Sequence, residues 1–347
     1  MIKTISIILI FKGFTTRGIK LAITVISAFK TFMKDFVNLT PERTSTARTS
    51  RDWLKKQINS FDDFFPLYEA KHIDFGSFSR KTKIKPLDDI DLIFAMSANG
   101  VTWSEYGNVV YLTVPETSDD YKNYTHDGSS DLNSKKIINQ FVRSLKNVSS
   151  YDKADIHRNK NAATLKLLSY DWNFDIVPAF YTKADNYGRS FYLIPNGEGH
   201  WMKTDPTKDK ERTTNVNQCN KGKVLEAIRA IKYWNKRPTM PSMGSYLLEN
   251  MVLEYFDSNN ASDYVDYNIA NLLLHISTAV FSVVVDPKGI QGNLNTLSYE
   301  EQVKISNRAL EDSNKAFAGI EFEKDTKMES AIKEWGKVFG SNFPSYG

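Results

Sequence analysis

Apolar side chains return every three or four residues along several stretches of the chain, the spacing of one buried helix face. These stretches are 47–61 (Trp53, Leu54, Ile58, Phe61), 131–148 (Ile137, Ile138, Phe141, Val142, Leu145), 222–236 (Leu225, Ile228, Ile231, Trp234), 245–256 (Leu247, Leu248, Met251, Val252, Phe256), 297–317 and 328–339 (Ile332, Trp335, Val338, Phe339). Ser50 is placed to cap the first helix, and Ser298 with Glu301 has capping-box spacing at the start of the fifth. Strand patterns occupy 72–77, 88–96, 155–168 and 172–181, and a polar, aromatic-bearing loop is expected over 97–130. Strands with interleaved helices therefore fill the first half, and helices the second. The pattern predicts an α/β (α+β) chain of two lobes, a mixed-sheet lobe over 31–195 and a helical lobe over 196–347, with Gly, Asn and Pro breaking the pattern between 181 and 205.

Residues 1–30 form an extension in this reading. Ile5 to Phe11 is a short apolar run, but Lys12 interrupts it and it is much too short to span a bilayer. No membrane contact is expected. The 347 residues are 41% hydrophobic and 25% charged, an ordinary globular composition with enough apolar material for two lobes. A net charge of +4 is too mild for a dedicated nucleic-acid binder. The single cysteine, Cys219, excludes intramolecular disulfides and cysteine-based zinc sites, which fits a reducing cytoplasm. The five histidines form no metalloprotease pair and no serine-histidine triad.

The chemistry concentrates in residues 75–92, FGSFSRKTKIKPLDDIDL. On a strand, Asp89 and Asp91 share a face while Ile90, Leu92 and Phe94 enter a core. Two adjacent carboxylates repel unless a proton or a divalent cation lies between them, and a purely oxygen donor set suits Mg²⁺ that completes its shell from phosphates. Gly76 and Ser77, eleven residues upstream, supply close-approaching backbone N–H groups and a hydroxyl for a phosphate. The basic residues Arg80, Lys81, Lys83 and Lys85 crowd this stretch, and Lys221, Lys223, Arg229, Lys232, Lys236 and Arg237 form a second cluster.

An apolar residue before Gly-Ser, then the eleven-residue spacer, then two aspartates within apolar residues, resembles the polymerase-β-like nucleotidyltransferase superfamily. The resemblance implies a third carboxylate on a neighbouring strand. Asp175, between Phe174 and Ile176 and followed by Val-Pro-Ala, is the candidate, with Asp171 the rival on the same face. In the second lobe, Trp201-Met-Lys-Thr-Asp-Pro206, Ile231-Lys-Tyr-Trp-Asn235 and Gly244-Ser-Tyr-Leu-Leu-Glu249 resemble the helical domain of oligoadenylate synthase and cyclic GMP-AMP synthase. More closely, the chain is similar to the bacterial CD-NTases of cyclic-oligonucleotide anti-phage signalling.

The resemblance implies that Asp89, Asp91 and Asp175 are catalytic and hold two Mg²⁺ ions, with Mn²⁺ an alternative. It also implies that Ser77 beside Gly76 binds the donor triphosphate, that Lys232 and Ser245 grip phosphate oxygens, and that Tyr246 stacks on a base. Trp201, Trp234 and Glu249 are read as structural. The implied product is a cyclic di- or trinucleotide made from nucleoside triphosphates, ATP among them. Addition of a single nucleotide to a protein, RNA or small molecule is the alternative. An accessory enzyme acting on Gly347 and an effector that binds the product are the implied partners, and no DNA requirement is expected.

Overall fold

The computed structural model describes residues 20–238, 241 and 243–347. The apolar run 5–11 lies outside the described residues. In chain order the first half holds strand β1 (Leu21–Ala22), helices α1 (Val25–Phe32) and α2 (Pro41–Asn59), strand β2 (Ile73–Phe75), the single turn α3 (Gly76–Ser79), strands β3 (Asp89–Met96), β4 (Thr102–Tyr106) and β5 (Val109–Thr113), and helix α4 (Ser134–Lys146). Strands β6 (Asp155–Asn159), β7 (Ala162–Lys166), β8 (Asn173–Tyr181), β9 (Tyr192–Pro195) and β10 (Trp201–Thr204) complete the sheet. Helices α5 (Pro206–Cys219), α6 (Val224–Asn235), α7 (Ser245–Ser258), α8 (Val265–Ala279), α9 (Tyr299–Lys324) and α10 (Met328–Phe339) follow, and strand β11 (Ser345–Tyr346) ends the chain.

The sheet order is β2-β3-β8-β9-β10-β5-β4, with the β6–β7 hairpin joined to the first half of β8 along the edge whose end pairs with β9. Strands β3 and β8 are parallel and in register from Asp89 opposite Asn173 to Met96 opposite Phe180. Alternation then sorts the faces. Ile90, Leu92, Phe94, Phe174 and Ile176 enter the main core with Leu54 and Ile58 of α2 and Ile138 and Phe141 of α4. Ile93, Ala95, Val177 and Ala179 build a smaller cluster on the other face. The aspartates share that second face by parity, so helices cover one side of the sheet and chemistry has the other.

Helix α2 starts well before the apolar repeat that announces it. Its cap is Thr40, whose side chain accepts from the Arg43 N–H, with Pro41 in the first turn, whereas Ser50 is buried mid-helix. The Thr-Pro pair is the sounder start signal, because proline's missing N–H would be an orphan there anyway. The expected loop 97–130 contains the β4–β5 hairpin. Every residue of β4 is exposed, so no apolar alternation could reveal it.

The helical lobe is built from both ends of the chain. Ala22, Val25, Ala28, Phe29 and Phe32 share one core with α6 to α10. The Phe29 ring packs edge-on against Trp335 at 4.8 Å and Phe343 at 5.1 Å, and β1 pairs in parallel with β11. Residues 20–30, assigned to an extension by sequence, thus supply core to the second lobe. No helix among the described residues is long and apolar enough to cross a membrane.

Candidate active site

The parallel register puts Asp91 directly opposite Asp175, and Phe75 of β2 lies opposite Asp91 on its other side. Thr164 of β7 stands opposite Asp175, and its hydroxyl donates to Asp175 Oδ1 at 2.5 Å. One row across four strands therefore ends the β2 edge, carries two carboxylates and anchors the second. Asp89 lies one pleat along, on the same face. Asp171 stands apart in the loop before β8, where it pairs with Arg43 at 2.6 Å with its side chain 75% exposed.

The chain turns sharply after Phe75. Gly76 has φ +69°, and a Cβ placed there would lie 1.8 Å from Asp91 Oδ2. Backbone thus rests on the carboxylate, an approach that no side chain permits. The turn is closed behind Ser77, whose carbonyl accepts from the Thr82 and Lys83 N–H groups at 3.0 and 3.1 Å.

Electrostatics single out Asp91. Burial, then the charges of Asp89 and Asp175, push its pKa up to about 7. Burial raises Asp89 as well, although Lys83 opposes it. Lys83 ion-pairs with both Asp88 and Asp89. Burial alone would lower Lys83, but the two carboxylates hold it above its ordinary value.

All donors in this row are hard oxygens, and among the described residues no cation forms an ion pair with Asp91. Those are the features a divalent cation satisfies. Among the described residues no three such side chains are yet drawn around one point as a ready-made cage. The reason is visible: Lys83 holds Asp89 and Thr164 holds Asp175. The site fits a cation that takes part of its shell from substrate.

The second-lobe candidates meet the catalytic turn through one side chain. Glu249, 2% exposed, accepts from Lys232 Nζ at 2.7 Å, from Arg80 Nε and Nη2 at 3.1 Å each and from Thr82 Oγ1 at 3.0 Å. Burial would raise its pKa, but Arg80 and Lys232 hold it below the ordinary carboxylate range. Lys232 is itself buried and lowered by burial against the pull of Glu249. Ser245, exposed, opens α7 one turn before Glu249.

Tyr246 is half-buried and tied down. Its hydroxyl donates to Asp209 at 2.6 Å and to Asp286 at 3.2 Å, and the Lys288 ammonium lies 4.1 Å over its ring. The Lys288 ammonium also donates to the Tyr246 hydroxyl, so that cation sits at the polar end of the ring. Trp201 and Trp234 are wholly buried, with indole N–H groups donating to Leu132 O and Asp312 Oδ2.

Lys83, Thr164 and the bridging role of Glu249 were not assigned from sequence. Lys83 could have been found, six residues before Asp89 in a basic run, whereas Thr164 and Glu249 depend on strand and lobe pairing. Breaking the Glu249 network should be costly, since removing one partner of a buried pair strands the other charges. Glu249→Gln is expected to cost about 3–5 kcal/mol, read as a lower Tm.

Comparison with known proteins agrees with this geometry. Residues 23–117 match the family model described as the Second Messenger Oligonucleotide or Dinucleotide Synthetase domain. The chain is 43% identical over 325 residues to a Bacillus cereus (strain VD146) protein named a probable cyclic nucleotide synthase, covering 92% of this chain and 98% of that one. The fold is similar to that of CdnC from Escherichia coli MS115-1 solved with ATP, at TM-score 0.67 and 16% identity over 92% of this chain and 98% of that one. It is equally similar to CdnC in its complex with HORMA-deltaN, at TM-score 0.67 and 14% identity over the same shares. Identity of that order over nearly the whole of both chains, on a nucleotidyltransferase fold with the aspartate row in place, makes this protein a member of the CD-NTase family of cyclic-nucleotide synthases.

Proposed function

We propose that the protein joins nucleoside triphosphates, ATP among them, into a cyclic di- or trinucleotide that serves as a second messenger in anti-phage defence. The pairing of Asp91 with Asp175 beside the Gly76 turn carries this reading. Asp89, Asp91 and Asp175 would hold two Mg²⁺ ions, which polarise the α-phosphate and neutralise the leaving pyrophosphate. The turn beginning at Gly76 and the Ser77 hydroxyl hold the donor phosphates. Ser245 would meet the same phosphates from the helical lobe, whereas Lys232, buried and paired with Glu249, would have to leave that pair to reach them.

In each step a ribose hydroxyl oxygen bonds to the α-phosphorus of the donor, the bond from that phosphorus to the β-bridging oxygen breaks, and pyrophosphate leaves. Asp175, oriented by Thr164, takes the hydroxyl proton or directs it to solvent. Tyr246 offers a ring face to a base, a contact worth roughly 1–3 kcal/mol. One further round in the same cleft closes a dinucleotide ring, and two close a trinucleotide. The CdnC complex with HORMA-deltaN favours an accessory regulator for this chain too.

Pyrophosphate release from mixed nucleoside triphosphates tests the assignment of the third carboxylate. Asp175→Asn is expected to slow release by about 10²–10⁴-fold, whereas Asp171→Asn, which loses an exposed pair with Arg43, should stay within about threefold. Equal losses in the two variants would remove Asp175 from its role.

A further inference from the structure

A cleft of about 320 Å³ opens beside the catalytic turn, lined by Asn38, Thr44, Arg48, Lys81, Lys83 and Arg229 among others, with no acidic residue in its wall. Three parts of the fold contribute: α2 brings Arg48, the turn after α3 brings Lys81 and Lys83, and α6 of the helical lobe brings Arg229. Lys83 connects the cleft to Asp89, the ion pair described above.

The charges in this wall are poorly balanced. Among the described residues, no carboxylate pairs with Arg48, Lys81 or Arg229. The half-buried Arg229 guanidinium donates only to neutral oxygens, Asn38 Oδ1 at 2.7 Å and the Lys81 carbonyl at 2.8 Å. Burial pushes its pKa below the ordinary value. Those two bonds fix Arg229 in place, and they also hold Lys81 in a left-handed backbone conformation at φ +62°. Lys83 is already paired with Asp88 and Asp89, so the uncompensated cations of the wall are Arg48, Lys81 and Arg229, a set that a multiply charged anion would complement.

We propose that this cleft is a polyphosphate subsite distinct from the donor site, and that it receives the pyrophosphate released at each transfer step. The inference rests on the nucleotidyl-transfer reading, because that reaction generates a multiply charged anion within reach of Lys83. Arg48 and Lys81, exposed at the mouth, take the anion from Lys83, and Arg229 supplies the fixed end of the cradle. Departure of pyrophosphate by this route frees the donor turn for the next nucleotide.

The test is calorimetric titration of sodium pyrophosphate into the full chain in EDTA, using the Asp89→Asn/Asp91→Asn protein so that metal-dependent donor binding is absent. Binding is expected to persist there and to weaken about tenfold or more when Arg48→Gln and Lys81→Gln are added. Both positions are exposed, so the melting temperature should not move. In the otherwise wild-type enzyme the same two changes should weaken product inhibition by pyrophosphate. Unchanged pyrophosphate affinity in the Arg48→Gln/Lys81→Gln background would overturn the proposal. So would a preference for duplex DNA over pyrophosphate with a steep salt dependence, which would mark a nucleic-acid surface. Failure of wild-type protein to release pyrophosphate at all would count against the transfer reading, whereas the metal-free titration judges the subsite alone.

Discussion

Asp91→Asn is expected to yield a protein that folds, melts higher than wild type in metal-free buffer at pH 8, and releases pyrophosphate about 10³-fold or more slowly. The two effects have one cause. Asp91 is held among burial, Asp89 and Asp175 with its pKa up to about 7, well above that of an unfolded aspartate. The folded state therefore binds the extra proton in the interval between the two values. By linkage, stability of the metal-free protein falls as pH rises through that interval, and the full penalty is present above about pH 7. It amounts to at most about 4 kcal/mol.

Asparagine keeps the shape and removes the charge, so its advantage should be large at pH 8 and vanish near pH 4, a comparison that thermal melts in EDTA provide. The same charge is what a divalent cation and a triphosphate would require, so activity falls. An Asp91→Asn protein that melts lower than wild type at pH 8 would contradict the electrostatic account of the site.

Gly76→Ala should be the most damaging small change in the chain. The residue sits at φ +69°, which costs an alanine roughly 1 kcal/mol, and its Cβ would meet Asp91 Oδ2 at 1.8 Å. Neither partner can yield cheaply. The turn behind Gly76 is fixed by the bonds to the Ser77 carbonyl, and rotating the Asp91 carboxylate away still leaves its Cβ, held by the strand register, 3.1 Å from the added methyl. The catalytic turn must shift by an ångström or more, and displacements of that size cost about 10²-fold in rate.

Gly107 is the control. It has φ +61° but nothing within 4 Å of its would-be Cβ, so Gly107→Ala should cost only the backbone term of about 1 kcal/mol and leave pyrophosphate release unchanged. Comparable activity in the Gly76→Ala and Gly107→Ala proteins would show that the contact with Asp91 is unimportant.

The placement of the aspartate row was legible because each of its parts has a local signature. Alternation put Asp89 and Asp91 on one face, and apolar neighbours on both sides marked Asp175 over Asp171. The strand register then did what the pattern predicted. The helix faces of the second lobe were legible for the same reason, since Trp234, Trp335 and Phe339 repeat at helical spacing.

What stayed hidden depends on distance along the chain or on exposure. Nothing local says that Phe29 packs on Trp335, some three hundred residues away, so α1 was assigned to an extension rather than to the helical core. Strand β4 is exposed on both faces and carries no alternation. Lys232 was legible as a cation near the site, but its buried partner Glu249 was not, because pairing between lobes is decided only when the chain closes. Tyr246 has the right residue type for stacking, yet the aspartates and Lys288 that fix its hydroxyl come from two other segments.

Incubation of the purified protein with all four nucleoside triphosphates and Mg²⁺ or Mn²⁺, followed by phosphatase and mass spectrometry, tests the central claim most directly. A phosphatase-resistant species with the mass of two or three dehydrated nucleotides, absent from the Asp91→Asn protein, is the predicted result. A single nucleotide attached to an added protein or RNA, with no cyclic species, would contradict it.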